Sequence, residues 1–277
     1  PFGRQDTATQ RFPNELSVGA DYSRYSNRSW NLSTWSLLGP FIGGKADSLD
    51  RDKWSHNNNV SLYATYQRRF GNLTAKIGLR GNMDNQHLVY YNVSGYDADT
   101  IFWTLTPSLH LSYSTKSMHN FSLSFTRRVS QPGLTSLTLY KVYEIDGFGS
   151  WGNPDLVPSY NQHIEFQWDK YFMKFGSIGA ELYYSSNTNE ESELANVVFS
   201  DFYGTMVGYT QPMNIGNSYA AGLDLNVTYR PTSFINVRFS GSLTYSNEDF
   251  TFRGQSFLNS VWSYHFRLNA WAKLGKN

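Results

Sequence analysis

The chain has 277 residues, a formal net charge of +1 and no cysteine, which excludes a disulfide framework, a thiolate metal site and a cysteine nucleophile and leaves no electrostatic footprint for nucleic acid. Tyr, Phe and Trp supply 17% of the residues and charged side chains only 16%, against about 25% charged in ordinary soluble domains. Mean hydropathy is nonetheless −0.49, and no apolar run approaches the roughly 18–20 residues of a membrane-spanning helix; a chain of this composition crosses a bilayer, if at all, as strands.

Ten stretches alternate apolar and polar residues with period two, the signature of strands with one apolar face. The first, about 15–26, aligns Leu16, Val18, Ala20 and Tyr22, and a polar loop over about 27–55 follows. The second, about 57–70, aligns Val60, Leu62, Ala64 and Tyr66, and the hairpin turn Gly71-Asn72 leads to Leu73, Ala75, Ile77 and Leu79 in the third. After a loop at about 84–99, the fourth aligns Ile101, Trp103, Leu105, Leu109, Leu111 and Tyr113, with Pro107 as a misfit that requires a bulge. Phe121, Leu123 and Phe125 mark the fifth. A long excursion over about 130–158 precedes Ile164, Phe166 and Trp168 in the sixth.

The seventh carries Ile178, Ala180, Leu182 and Tyr184 and returns through a polar loop that begins Asn-Thr-Asn-Glu-Glu-Ser-Glu. Ala221, Leu223, Leu225, Val227 and Tyr229 form the eighth, Ile235, Val237, Phe239, Leu243 and Tyr245 the ninth, and Trp262, Tyr264, Phe266, Leu268, Ala270 and Ala272 the tenth. Short and long connections alternate throughout, as in a transmembrane β-barrel with short turns at one rim and long loops at the other. Aromatics end both directions: Tyr66, Tyr113, Trp168 and Tyr229 before short turns, Tyr22, Tyr184 and Tyr245 before long loops. Amphipathic rings favour the boundary between hydrocarbon and headgroups, so these rows read as the two girdles of an outer-membrane barrel.

Three motifs fail on their context. Gly147, Gly149 and Gly152 spell G-x-G-x-x-G, but Pro154 and Pro158 stand where a dinucleotide fold needs a helix. His56, His87, His110, His119, His163 and His265 lie on different strands and loops without metal-ligand spacing. Asp47, Asp50 and Asp52, and separately Glu190, Glu191 and Glu193, lack the fixed spacing and turn glycine of a calcium loop. No grouping of serine, histidine and carboxylate marks a nucleophile with its base, so neither catalytic residues, metal ligands nor a cofactor are assigned.

The excursion carries a more specific signal. Its segment from Ser122 to Phe172 holds Thr126-Arg127-Arg128, then Pro132, and closes on Gly152-Asn153-Pro154-Asp155-Leu156-Val157-Pro158 before the next strand. A second stretch, Asn214 to Leu225, places Gly216, Gly222 and Asp224 ahead of a Tyr229-Arg230-Pro231 turn. Both resemble the barrel of TonB-dependent outer-membrane receptors, over about 120–275 by motif and elsewhere by pattern only. Physically, Pro154 and Pro158 remove two backbone donors and confine this box to a strand's entrance or a loop, so Gly152, Asn153, Pro154, Leu156 and Pro158 form a structural motif.

The resemblance implies an all-β, antiparallel transmembrane barrel of 22 strands with an N-terminal plug, of which residues 1–277 would be a barrel segment without plug or signal peptide. It implies a Gram-negative outer-membrane transporter that imports an iron chelate, a cobalamin, a glycan or a peptide. Its partners would be outer-membrane lipid, a TonB-type energy-transducing protein acting through the plug, and a surface lipoprotein. Tyr140, Tyr143, Phe148 and Trp151 in the excursion suit stacking on a sugar or an aromatic chelator, and suit packing the loop on itself equally. Two alternatives stay open at this point: a passive small barrel or adhesin, and a soluble β-sandwich or lipocalin-like binder.

Overall fold

The computed structural model describes residues 14–35, 47–91, 97–138, 141–143, 148–200, 204–252 and 255–273. Its strands are β1 Asn14–Trp35, β2 Asp47–Phe70, β3 Leu73–Tyr90, β4 Ala98–Ser114, β5 His119–Ser130, β6 Lys141–Tyr143, β7 Phe148–Trp151, β8 Ser159–Phe172, β9 Gly176–Ser200, β10 Thr205–Thr232, β11 Ile235–Phe252 and β12 Gln255–Ala272. All but β6 and β7 form one meander in the order β1-β2-β3-β4-β5-β8-β9-β10-β11-β12, each strand antiparallel to the last. The excursion supplies the exceptions: β6 pairs with β7, and β7 adds in parallel to β10.

The period-two pattern fixes this register, because a slip of one residue would turn every apolar side chain to the wrong face. Following partners across the meander gives one continuous row: Leu16, Tyr66, Ile77, Leu109, Phe125, Ile164, Tyr184, Ala221, Tyr245 and Trp262. Every member is apolar or aromatic. The neighbouring row on the other face reads Glu15, Gln67, Lys76, His110, Ser124, Glu165, Tyr183, Gly222, Thr244 and Ser263. The polar face lines a lumen and the apolar face is bare, with Trp103 at 73%, Leu268 at 69% and Tyr264 at 74% exposure. An apolar face of that extent in water would aggregate; against acyl chains it is matched to its solvent.

The outer row also reports strand tilt. It passes through Tyr66 in the lower aromatic girdle and through Tyr184 and Tyr245 in the upper one. Passing from one girdle to the other along a single ladder row requires strands tilted to the barrel axis, as in outer-membrane barrels. The upper girdle is continuous over four strands, with Tyr184–Tyr219, Tyr219–Tyr245 and Tyr245–Trp262 ring centroids 6.3, 6.1 and 5.0 Å apart. In the lower one, the Trp168 indole donates to His119 Nδ1 at 3.1 Å.

Two expectations need correction. The polar stretches assigned to loops at 27–55, 84–99 and after Tyr184 are largely strand: β1 runs to Trp35, β2 begins at Asp47, β3 runs to Tyr90, and β9 carries Glu190–Glu193 in ladder with β10. Above the membrane no hydrocarbon enforces an apolar face, so strands continue with polar residues on both sides. Pro107 sits in no bulge: the β3–β4 register passes through it unshifted, and the β4–β5 ladder begins one residue later at Ser108. Its missing donor falls where that ladder stops. Substituting Leu105, outward and 51% exposed, by Arg is expected to cost about 2–4 kcal/mol in urea unfolding from lipid vesicles; Thr106→Ser, on the inner face, is expected to stay within about 0.5 kcal/mol.

Candidate functional site

The excursion between β5 and β8 folds inward over the lumen mouth. A 3-10 turn at Leu134–Leu137 brings Leu137 against Leu88 and Tyr90 of β3 and Ala98 and Phe102 of β4, and Leu156 joins the same cluster. Leu88, Leu137 and Leu156 are buried to 2% exposure or less. The far side of the excursion is held by β10, five steps away from β3 in the sheet. There β7 pairs with Gly208–Thr210, the Gln211 amide donates to the Gly152 carbonyl at 3.0 Å, and the Asn153 amide donates to the Pro212 carbonyl at 3.1 Å.

Each residue of the Gly152–Pro158 box has a physical task. A Cβ at Gly152 would lie 1.9 Å from the Thr138 carbonyl oxygen, so backbone passes where any side chain would stand. Asn153 donates its backbone N–H to Ser136 and accepts the Asp155 N–H on its side chain at 3.0 Å, an Asx turn that Pro154 occupies. Leu156 enters the cluster. Val157 is gripped by Asn214, which accepts its N–H at 2.8 Å and donates to its carbonyl at 3.0 Å, while also donating to the Asn189 carbonyl at 2.7 Å. Pro158 is buried where β8 begins. Asn189 (φ 58°) and the register shifts between Asn214 and Ser218 mark the bulge where the tall β9–β10 hairpin bends.

Of the aromatic residues proposed to bind ligand, Tyr140 and the side chains of Tyr143 and Phe148 lie outside the described residues. Trp151 stacks on Tyr209 of β10, with centroids 4.0 Å apart and planes at 16°. Beside the box lies a cleft of about 640 Å³ walled by Pro132, Val157, Glu190, Glu193, Glu248 and Phe250.

The inner wall below holds a feature that no sequence motif marked. Glu165 and Asp169 of β8, Glu181 of β9 and Asp224 of β10 all face the lumen: Glu165 is opposite Tyr183, Asp169 opposite Gly179, and Glu181 opposite Asp224. Tyr183 lies across Gly222, whose Cβ would meet its ring at 2.4 Å, and reaches Thr244 of β11 with a 2.7 Å hydrogen bond. That tie packs the wall beside the carboxylates. His163 Nε2 stands 3.6 Å from Glu165, and among the described residues no Lys or Arg pairs with any of the four. Asp224 Oδ1 is buried without a hydrogen-bond partner. The alternation itself placed these residues inward; what sequence could not give is that three strands bring them together.

His56 and His87 fall opposite one another on the outer face above the upper girdle, centroids 4.9 Å apart, with His87 Nδ1 3.9 Å from Asp99. Burial, with His87 and Arg24 nearby, pushes the His56 imidazole down. Among the described residues no group of three or more His, Asp or Glu side chains is arranged to hold a metal. Asp52 pairs with Arg28 across β1 and β2, its Oδ1 accepting from Nε at 3.0 Å; Asp47 and Asp50 have side chains outside the described residues.

A model of the outer membrane protein beta-barrel family matches residues 52–277. The chain belongs to that family. The apolar outer face is thus the lipid face of an outer-membrane barrel, and the soluble-sandwich alternative falls. Among solved structures, the copper transporter OprC aligns at TM-score 0.58 and 10% identity over 95% of this chain and 47% of its own. The siderophore receptor PiuA from Acinetobacter baumannii aligns at 0.54 and 12% over 95% and 47%, and the FrpB iron transporter from Neisseria meningitidis at 0.52 and 11% over 91% and 40%. This chain spans about half the length of these barrels. A comparison with curated proteins finds no match.

Gly152→Ala is expected to force the box off the Thr138 carbonyl, and Asn214→Ala to free Val157. Both are expected to raise hydrogen exchange at the Asn153, Asp155, Leu156 and Val157 amides by tenfold or more, on the scale of about 1–3 kcal/mol for unmade buried bonds, with exchange in β4 and β8 unchanged.

Proposed function

We propose that this chain is the barrel wall of an active outer-membrane transporter of the TonB-dependent type, whose lumen is occupied by a plug and whose excursion contributes to the ligand-collecting mouth. The observation that carries this reading is the group of lumen carboxylates, Glu165, Asp169, Glu181 and Asp224, which lack a basic partner of their own. Charges at a wall of low dielectric favour a counter-charge, and a basic segment seated inside the barrel supplies it. The roof formed by the excursion fits a gated lumen better than an open pore. Among the described residues the outer edges of β1 and β12 have no partner strand, and unpaired backbone groups are not tolerated in hydrocarbon; further strands of the same barrel fit them.

The cargo is a scarce nutrient, an iron chelate, cobalamin, glycan or peptide, and Trp151 is one aromatic surface available to it. A TonB-type protein drives release by pulling on the plug, and a surface lipoprotein is a further partner. The test is planar-bilayer conductance of the native polypeptide and of its Glu165→Gln/Glu181→Gln variant. A plugged transporter is silent, and the double variant is expected to show intermittent openings as the plug loosens. Steady ohmic conductance of the unmodified protein would instead establish the passive-barrel reading.

A further inference from the structure

The short-turn rim repeats one local pattern. At the foot of each descending strand the girdle aromatic is followed within three residues by a cation: Tyr66 by Arg68, Tyr113 by Lys116, Trp168 by Lys170, and Tyr229 by Arg230. Lys174 in the β8–β9 turn and Lys273 after β12 continue the series. Arg68 and Lys170 share the outer face with Tyr66 and Trp168, since they lie two residues further along the same strands. Each bends over an aromatic ring at the edge of the band: the Arg68 guanidinium is 4.6 Å from the centroid of Phe70, and the Lys170 ammonium 5.6 Å from that of Phe172. Apart from Lys170, all these cations are exposed, and among the described residues none is in an ion pair. Among the described residues the carboxylates at this level, Glu15 and Asp169, both face the lumen. At the opposite rim Glu190, Glu191, Glu193, Glu248 and Asp249 gather around the cleft.

We propose that these cations form a collar that binds the phosphate groups of anionic phospholipids in the periplasmic leaflet. Short turns face the periplasm in outer-membrane barrels, and a long basic side chain anchored beside a girdle ring holds its charge at headgroup depth. The spacing favours lipid over a protein partner. One or two cations occur per hairpin, and successive hairpins stand roughly 10 Å apart along the rim, so the charge is distributed over separate small sites. A single acidic protein would be met by a concentrated patch. The collar is independent of the plug and of any cargo.

The experiment uses the intact protein, extracted, delipidated and exposed in detergent to equal amounts of phosphatidylglycerol and phosphatidylcholine, with retained lipid measured by mass spectrometry. A membrane-surface cation contributes about fivefold (about 1 kcal/mol, at 1.4 kcal/mol per tenfold), so phosphatidylglycerol is expected to be retained at least tenfold in excess. Raising salt from about 0.1 M to about 1 M, which shortens the Debye length from about 10 Å to about 3 Å, is expected to erase the preference in the unmodified protein. Arg68→Gln/Lys116→Gln/Lys170→Gln/Arg230→Gln is expected to abolish it at low salt, and Arg68→Lys/Arg230→Lys to keep it. Equal retention of the two lipids by the unmodified protein, or a preference that survives both high salt and the fourfold substitution, would overturn the proposal; equal retention would leave the collar to an acidic protein.

Discussion

Everything in this molecule follows from the obligation to pair backbone N–H and C=O groups where no water can reach them. Within hydrocarbon an unpaired amide costs several kcal/mol, so the ladders from β1 to β12 are the primary constraint and side chains adapt to them. Register then sorts the faces. The continuous row from Leu16 to Trp262 meets lipid, and the row from Glu15 to Ser263 meets the lumen, because neither can exchange places without moving ten strands together. Tilt, girdles and the short-turn rim are consequences of the same lattice.

What sequence revealed was what lipid enforces. Alternation over Val60–Tyr66 or Leu223–Tyr229 exists because one face must be apolar, and within the band it named the strands and their faces correctly. Above the girdles that pressure lapses. Asn27, Asp84 and Glu191 read as loop residues, yet they sit in ladders whose backbone bonds need no particular side chain. Pro107 was legible as a break but not as the end of one ladder, since that depends on where β5 stops pairing.

The mouth was legible only in part, for a different reason. Gly152, Asn153 and Pro154 announced an irregular, stiff segment, and their chemistry suits what they do. Their partners were invisible: Thr138 is near in sequence, but Pro212 and Asn214 lie more than fifty residues away. The lumen carboxylates show the same limit. Each of Glu165, Glu181 and Asp224 is an ordinary inward-facing polar residue on its own strand, and their meaning arises from adjacency.

The bridge from β3 to β10 has a kinetic side. Contacts between Asn153 and Pro212, and between Val157 and Asn214, close sequence separations of 59 and 57 residues, and they form only after β8, β9 and β10 have zipped into order. Loop closure over that span is costly until neighbouring hairpins reward it. The box is therefore among the last parts of the molecule to settle, and its closure serves as a record that the wall beneath has assembled in the right register; a barrel with β9 slipped by one residue would present Asn214 to the wrong side and leave the mouth unlatched.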